Sequence, residues 1–346
     1  MLVTRHRQQL RIHSLDDLRL DTVPLPNVGA GDVLVRVAVC GICGSDLGYL
    51  AKGGTRGPTG TPMPLGHEFS GVIDEVGAHV ADLCPGMRVV VNPDDDGIGN
   101  GGPEGGFSEW VLVKNARLGG NIHPLPDALS FERAALVEPL SVSLHGVNRA
   151  RVKPESKVVV YGAGVIGLGV VVGLRRRGVR DIVVVDLQDA RLETARRLGA
   201  SATVNPARED LQAALGRLHG TRQKYGFASV ATDVFIDAAG AGGLLQQTVA
   251  MCASGARIVV VAVYRQPVAL DLVMVMAKEI ELAGSIAYPG DEFQEVIGML
   301  AQGEVDVDPL ITHRFTFSAA LAAFEQARDA TRALKVMVEI DTEEAP

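Results

Sequence analysis

The chain has 346 residues, enough for two lobes with separate cores, since single cores rarely grow beyond about 250–300 residues. Hydrophobic residues make up 47% and charged residues 21%, the balance of an ordered soluble protein. Lys plus Arg is 33 against 41 for Asp plus Glu; the net charge of −8 repels phosphate backbones and anionic membrane surfaces, which excludes nucleic acid and membranes as expected partners.

The opening segment, MLVTRHRQQLRIHS, has no apolar core of signal-peptide length, and no stretch reaches the roughly 18 apolar residues of a membrane span, so a cytoplasmic protein is expected. Through about residue 150 come short β-type runs, VLVRVAVC (33–40), GVIDEV (71–76), MRVVV (87–91) and SEWVLV (108–113), separated by Gly and Pro turns. They predict a mostly β lobe. The four cysteines, at 40, 43, 84 and 252, are too sparse for a disulfide scaffold and show no zinc-ribbon spacing.

Three segments of this lobe carry chemistry: Gly41-Ile42-Cys43-Gly44-Ser45-Asp46, Gly66-His67-Glu68 and Glu138-Pro139-Leu140. A thiolate, an imidazole and a carboxylate match the type and number of ligands of a catalytic zinc, which keeps one position open. Singly, each has an ordinary structural reading: a buried cysteine, a structural histidine, a turn acid. The run Asp94-Asp95-Asp96-Gly97 resembles the start of a calcium loop, but nothing later completes it, so a solvated acidic loop is expected.

After a helix predicted over 132–149, strands begin to alternate with helices. KVVVYGAGVIGLGVVVGLRRRG reads as strand, Gly-rich turn and helix, with Gly162-Ala163-Gly164-Val165-Ile166-Gly167 as a G-x-G-x-x-G in its informative context. Gly162 permits the turn, Gly164 lets backbone N–H groups of the helix start approach a pyrophosphate, and Gly167 allows close helix packing. Asp186 ends the next strand, where a carboxylate accepts from ribose hydroxyls and repels a 2′-phosphate, favouring NAD; Arg191 flanks the adenine. Further strands at 234–239, 256–263 and 279–286 complete a doubly wound parallel sheet, with Val261, Val263 and Ser285 on the cofactor side. The tail returns to a helix, the run ITHRF at 311–315, another helix and a closing strand, KVMVEI.

These segments, their order, and Gly105-Gly106-Phe107-Ser108-Glu109-Trp110 resemble the zinc-dependent medium-chain dehydrogenases, in the branch holding sorbitol, butanediol and threonine dehydrogenases. The resemblance implies a GroES-like catalytic lobe from residues 1–150 and 287–346 around a Rossmann domain at 151–286. It implies an NAD-dependent oxidation of a secondary alcohol or vicinal diol through a zinc-bound alkoxide, and a homodimer or homotetramer. Carried over, Cys43 and His67 are zinc ligands, Glu68 or Glu138 supplies the carboxylate directly or through water, and Ser45 takes the substrate proton. Two departures stand out. Gly48 occupies the position of a proton-relay histidine, so solvent is expected to carry the proton away. The segment at 92–106, where many relatives hold a structural zinc on four cysteines, has none, so one zinc per subunit is expected.

The substrate is expected beside Ser45, Tyr49, Phe107 and Glu138, with Tyr49 and Tyr288 flanking it. Ala287 stands where sorbitol dehydrogenases hold an Arg that contacts polyol hydroxyls, which points to a small diol, an acyloin or a modest secondary alcohol. Rival readings are a zinc-free enone or quinone reductase on the same plan and a non-catalytic NAD-binding homologue; the retained ligand set speaks against both.

Overall fold

The computed structural model describes residues 5–224 and 226–340. The chain divides into two compact units, one running to Glu138 and resuming at Phe293, the other Pro139–Glu292. In the first, the strand Val33–Gly41 alternates side chains between two faces and carries buried Val33, Val35 and Val37. It pairs antiparallel with Glu68–Val76, Trp110–Val113 and Lys335–Glu339. The last pairing sets Met337 opposite Gly41 and Val338 opposite Cys40, so the chain's last described strand lies beside one of its first. The sheet continues through Arg88–Val91 and Ile122–Pro124 on one side and Ile311–Thr316 on the other. Its core gathers Phe69, Phe107 and Phe324, all fully enclosed.

The second unit holds the expected doubly wound sheet, with six parallel strands. In spatial order they are Ala202–Val204, Asp181–Val185, Lys157–Tyr161, Val234–Asp237, Arg257–Val260 and Glu281–Gly284. The runs VVVY and IVVV are wholly buried, as a sheet covered on both faces requires. A small antiparallel hairpin, Thr221–Lys224 with Phe227–Val230, adds to this alternation; its polar first strand, TRQK, carries no apolar period to announce it.

The helix expected over 132–149 is two, Phe131–Ala135 and Val137–Ala150. Pro139 is the cause: without an N–H it cannot bond the carbonyl four residues back, yet it is tolerated in the first turn of a new helix. The longer helix also moves the unit boundaries from the expected 150 and 286. The Ser143 hydroxyl bonds the Ile166 carbonyl at 3.0 Å, and His145 and Asn148 bond Glu292 at 3.0 and 2.9 Å, so residues 139–150 and 287–292 pack with the second unit. No described helix is long and apolar enough to cross a membrane.

Candidate metal and cofactor sites

The metal candidates come together at one end of the first unit's central strands. Cys43 follows the strand Val33–Gly41 and N-caps the helix Gly44–Lys52, its backbone N–H donating to Asp46 Oδ2 at 2.8 Å. His67 and Glu68 sit at the start of the neighbouring strand. One donor atom each from Cys43, His67 and Glu68 lie within 4.8 Å of one another, the one such cluster among the described residues.

The His67 ring is oriented from both sides. Nδ1 faces Asp46 Oδ1 at 3.6 Å and Nε2 faces Ser45 Oγ at 3.4 Å. That is the geometry by which a carboxylate steers a metal-binding imidazole. Burial disfavours a charged His67, but Asp46, Cys43 and Glu138 together overcome it and raise its pKa well above the ordinary value. The pocket therefore attracts positive charge. A divalent ion meets that demand in place of a proton.

Glu68 is fully enclosed. Its Oε2 accepts from the Lys335 ammonium, which also donates to Ile42 O at 2.9 Å, while Oε1 has no hydrogen-bond partner. Burial works against a charged Lys335, yet Glu68, Cys43 and Glu138 hold its pKa above the usual lysine value. Gly41 makes the contact possible: a Cβ there would stand 2.5 Å from Glu68 Oε2 and 3.2 Å from Lys335 Cδ. An unpaired carboxylate oxygen without access to water costs several kcal/mol unless a cation approaches it, so the donor set fits a zinc ion.

Glu138, in the first turn of its helix, lies outside that cluster. It feels His67, Glu68, Lys335 and Asp94, and burial pushes its pKa up to about 8. Tyr49 is half-buried and donates from its hydroxyl to Asn100 Oδ1 at 3.3 Å. Phe107 corrects an expectation. It is wholly inside the core, edge-on to Phe324 with centroids 5.3 Å apart, and offers a substrate no surface.

In the second unit the Gly-rich turn has its expected form. Gly162 takes φ +88°, and a Cβ on Gly167 would overlap the Gly162 carbonyl oxygen. Gly164 N-caps the helix Val165–Arg176, whose first turn, with Val165 and Ile166 half-buried, carries no acid to oppose an anion. Asp186 accepts from Ala163 N at 2.7 Å and Gln188 N at 2.8 Å, pinning the turn. The Arg191 guanidinium lies 3.9 Å from the place of a Gly164 Cβ. Ser285 Oγ is buried without a hydrogen-bond partner, and with Val261 it approaches the backbone of Gly146. Val263 is 87% exposed, whereas Tyr288 is buried.

Sequence reasoning assigned no role to Asp46, Lys335 or Asn100. Asp46 stands in a quoted motif, three residues after Cys43, and its capping position was readable. Lys335 had no local signal.

Residues 29–127 match the model of the alcohol dehydrogenase GroES-like domain and residues 165–302 that of the zinc-binding dehydrogenases. The chain is 31% identical to sorbitol dehydrogenase of Gallus gallus, across 99% of this chain and 98% of that one. It is 32% identical to (R,R)-butanediol dehydrogenase of Neisseria gonorrhoeae, across 88% and 90%. Its structure is similar to that of 2R,3R-butanediol dehydrogenase from Bacillus subtilis, with a TM-score of 0.85, 29% identity and coverage of 97% and 100%.

Proposed function

We propose a reaction for this chain from one premise: it belongs to the zinc-dependent medium-chain dehydrogenase family. It oxidises a secondary alcohol or vicinal diol with NAD, or reduces the matching ketone. The observation that carries this reading is the cluster of Cys43, His67 and Glu68 with Glu68 Oε1 left unpartnered.

Cys43, His67 and Glu68 would hold one zinc, with Glu138 as a further acid beside it. A zinc bound there would supply a Lewis-acid charge that lowers the pKa of a substrate hydroxyl, and a bound NAD would supply the hydride acceptor. Asp46 keeps the His67 ring turned to the site. Ser45 Oγ, 3.4 Å from His67 Nε2, receives the substrate proton and passes it to solvent. Glu138, whose burial favours its neutral form, adds charge beside the metal only as the site gains positive charge.

The helix N-terminus at Gly164 receives the pyrophosphate, and Asp186 favours a free ribose hydroxyl over a 2′-phosphate. Val261, Val263 and Ser285 line the nicotinamide side, and Arg191 the adenine side. Tyr49 borders the substrate. The segment at 92–106 has no cysteine and is fastened by the buried ion pair of Arg7 with Glu104, at 2.6 Å, which supports a single zinc per chain.

A homodimer is the assembly we favour. The edge strand Glu281–Gly284 lacks a further neighbour among the described strands, and exposed Val273, Met276 and Ile286 lie on the same unit.

The test is a panel of diols, polyols, threonine and simple secondary alcohols offered with NAD and with NADP. NADH formation on at least one diol or secondary alcohol is expected. A zinc-replete protein that binds NADH and oxidises none of them contradicts the proposal.

A further inference from the structure

The parallel sheet of the second unit reverses its strand order between Lys157–Tyr161 and Val234–Asp237. Asp181–Val185 and Ala202–Val204 lie to one side of that line, Arg257–Val260 and Glu281–Gly284 to the other. Ligands of such sheets sit beyond the carboxyl ends of the strands at the reversal. Asp237 stands there. It pairs in register with Tyr161, the residue before the Gly-rich turn, and with Val260, the residue before the loop that carries Val261 and Val263.

We propose that Tyr264, through its hydrogen bond to Asp237, is a positioning residue for the nicotinamide half of the cofactor, holding the loop 261–264 in its binding form. This rests on the NAD binding proposed above and goes beyond it to a residue outside the dinucleotide motif.

Asp237 is 1% exposed, and a carboxylate so enclosed must have its hydrogen bonds met within the protein. Its Oδ1 accepts from Ala239 N at 2.9 Å and Gly240 N at 3.0 Å, and its Oδ2 accepts from the Tyr264 hydroxyl. The Asp237 carbonyl accepts from Val261 N and Ala262 N, both at 2.9 Å. One residue thus fastens the turn 238–240 and the loop 261–264 together. That turn abuts the Gly-rich turn on one side, where a Gly162 Cβ would stand 3.1 Å from the Ala238 carbonyl. On the other side a Gly240 Cβ would stand 3.2 Å from the Ala262 Cβ.

Between Ala262 and the helix Leu272–Ala277, two side-chain bonds tie the segment to the rest of the unit among the described residues. One is Tyr264 on Asp237; the other is Gln246 Nε2 on the Ala269 carbonyl at 2.9 Å. Val263 is 87% exposed, so no packing of its own fixes it, and its place depends on the Tyr264 bond next to it. Burial and the bond to Asp237 raise the Tyr264 pKa above the ordinary value, which keeps the hydroxyl a donor at any working pH. With the adenosine at Asp186 and the pyrophosphate at Gly164, the other half of the dinucleotide falls across the reversal, beside Asp237 and this loop. A loop already held in its binding form loses less freedom when the ligand arrives.

The test compares dissociation constants for NADH and for ADP-ribose, which lacks the nicotinamide, by calorimetry on the zinc-loaded protein. Tyr264→Phe removes only the hydroxyl. It is expected to raise the NADH constant about tenfold and to leave that of ADP-ribose within about twofold. Gln246→Ala, which releases the same segment at Ala269, leaves the ratio of the two constants in place. Equal weakening of both ligands, no weakening of either, or the same split from Gln246→Ala overturns the assignment. An unaltered protein without affinity for NADH overturns the cofactor reading and the assignment with it; normal NADH affinity without the split overturns the assignment alone.

Discussion

Lys335 and Glu68, 267 residues apart in the chain, form a buried ion pair behind the candidate metal site. Removing one member of such a pair strands the other charge without water, at a cost of about 3–5 kcal/mol. Lys335→Met is therefore expected to lower the thermal unfolding temperature most in zinc-stripped protein, because bound metal compensates Glu68. Melting curves with and without zinc check this. An equal loss in both states would show that Glu68 does not face the metal.

Glu138 gives the zinc-free protein a pH dependence of definite sign. Its folded pKa of about 8 lies above the ordinary carboxyl value, so its contribution is fully present below about pH 4.5 and is lost as the pH rises to about 8. Denaturant unfolding of stripped protein at pH 5 and pH 8 should show the loss, and Glu138→Gln should flatten it. A variant with the parental slope contradicts the burial argument.

Much of this was legible locally. The run KVVVYGAGVIG carries its strand, turn and helix in one window, and the sheet around it is parallel as expected. Cys43 and His67 could be nominated because family motifs frame them. The Lys335 pairing could not, since it depends on the strand Lys335–Glu339 aligning with Val33–Gly41, a register that no local pattern encodes. Phe107 misled for a related reason: an aromatic after two glycines reads equally as pocket wall or core, and only its contact with Phe324 decides. The helix break at Pro139 was written in the chain, but the apolar period running through it masked the stop.

The Gly-rich turn should respond to side-chain size. Gly167→Ala places a methyl against the Gly162 carbonyl and is expected to weaken NADH binding by about tenfold or more, whereas Gly164→Ala, with only Arg191 at 3.9 Å, costs less. Fluorescence titration with NADH compares the two. A reversed order contradicts the turn geometry.

Gly48 has no atom within 4 Å of an added Cβ, so Gly48→His starts its side chain in open space. With solvent as the proton's exit, kcat below neutral pH should change by no more than roughly twofold. A rise of tenfold at low pH would mean the missing relay limits turnover.

The proposed dimer face carries Val273 and Met276, at 68% and 70% exposure. A charge placed there would lose its water on association, so Met276→Glu should shift the protein toward monomer in analytical ultracentrifugation. Unchanged mass at micromolar concentration removes this face from the assembly.

The central claim is a single catalytic zinc at Cys43, His67 and Glu68. Its most direct measurement is metal content per chain in protein purified without chelator, paired with NADH formation before and after zinc removal. The expected result is about one zinc per chain, with activity lost on stripping and restored by zinc. Full turnover in metal-free protein would contradict the account and reduce the three side chains to structural residues.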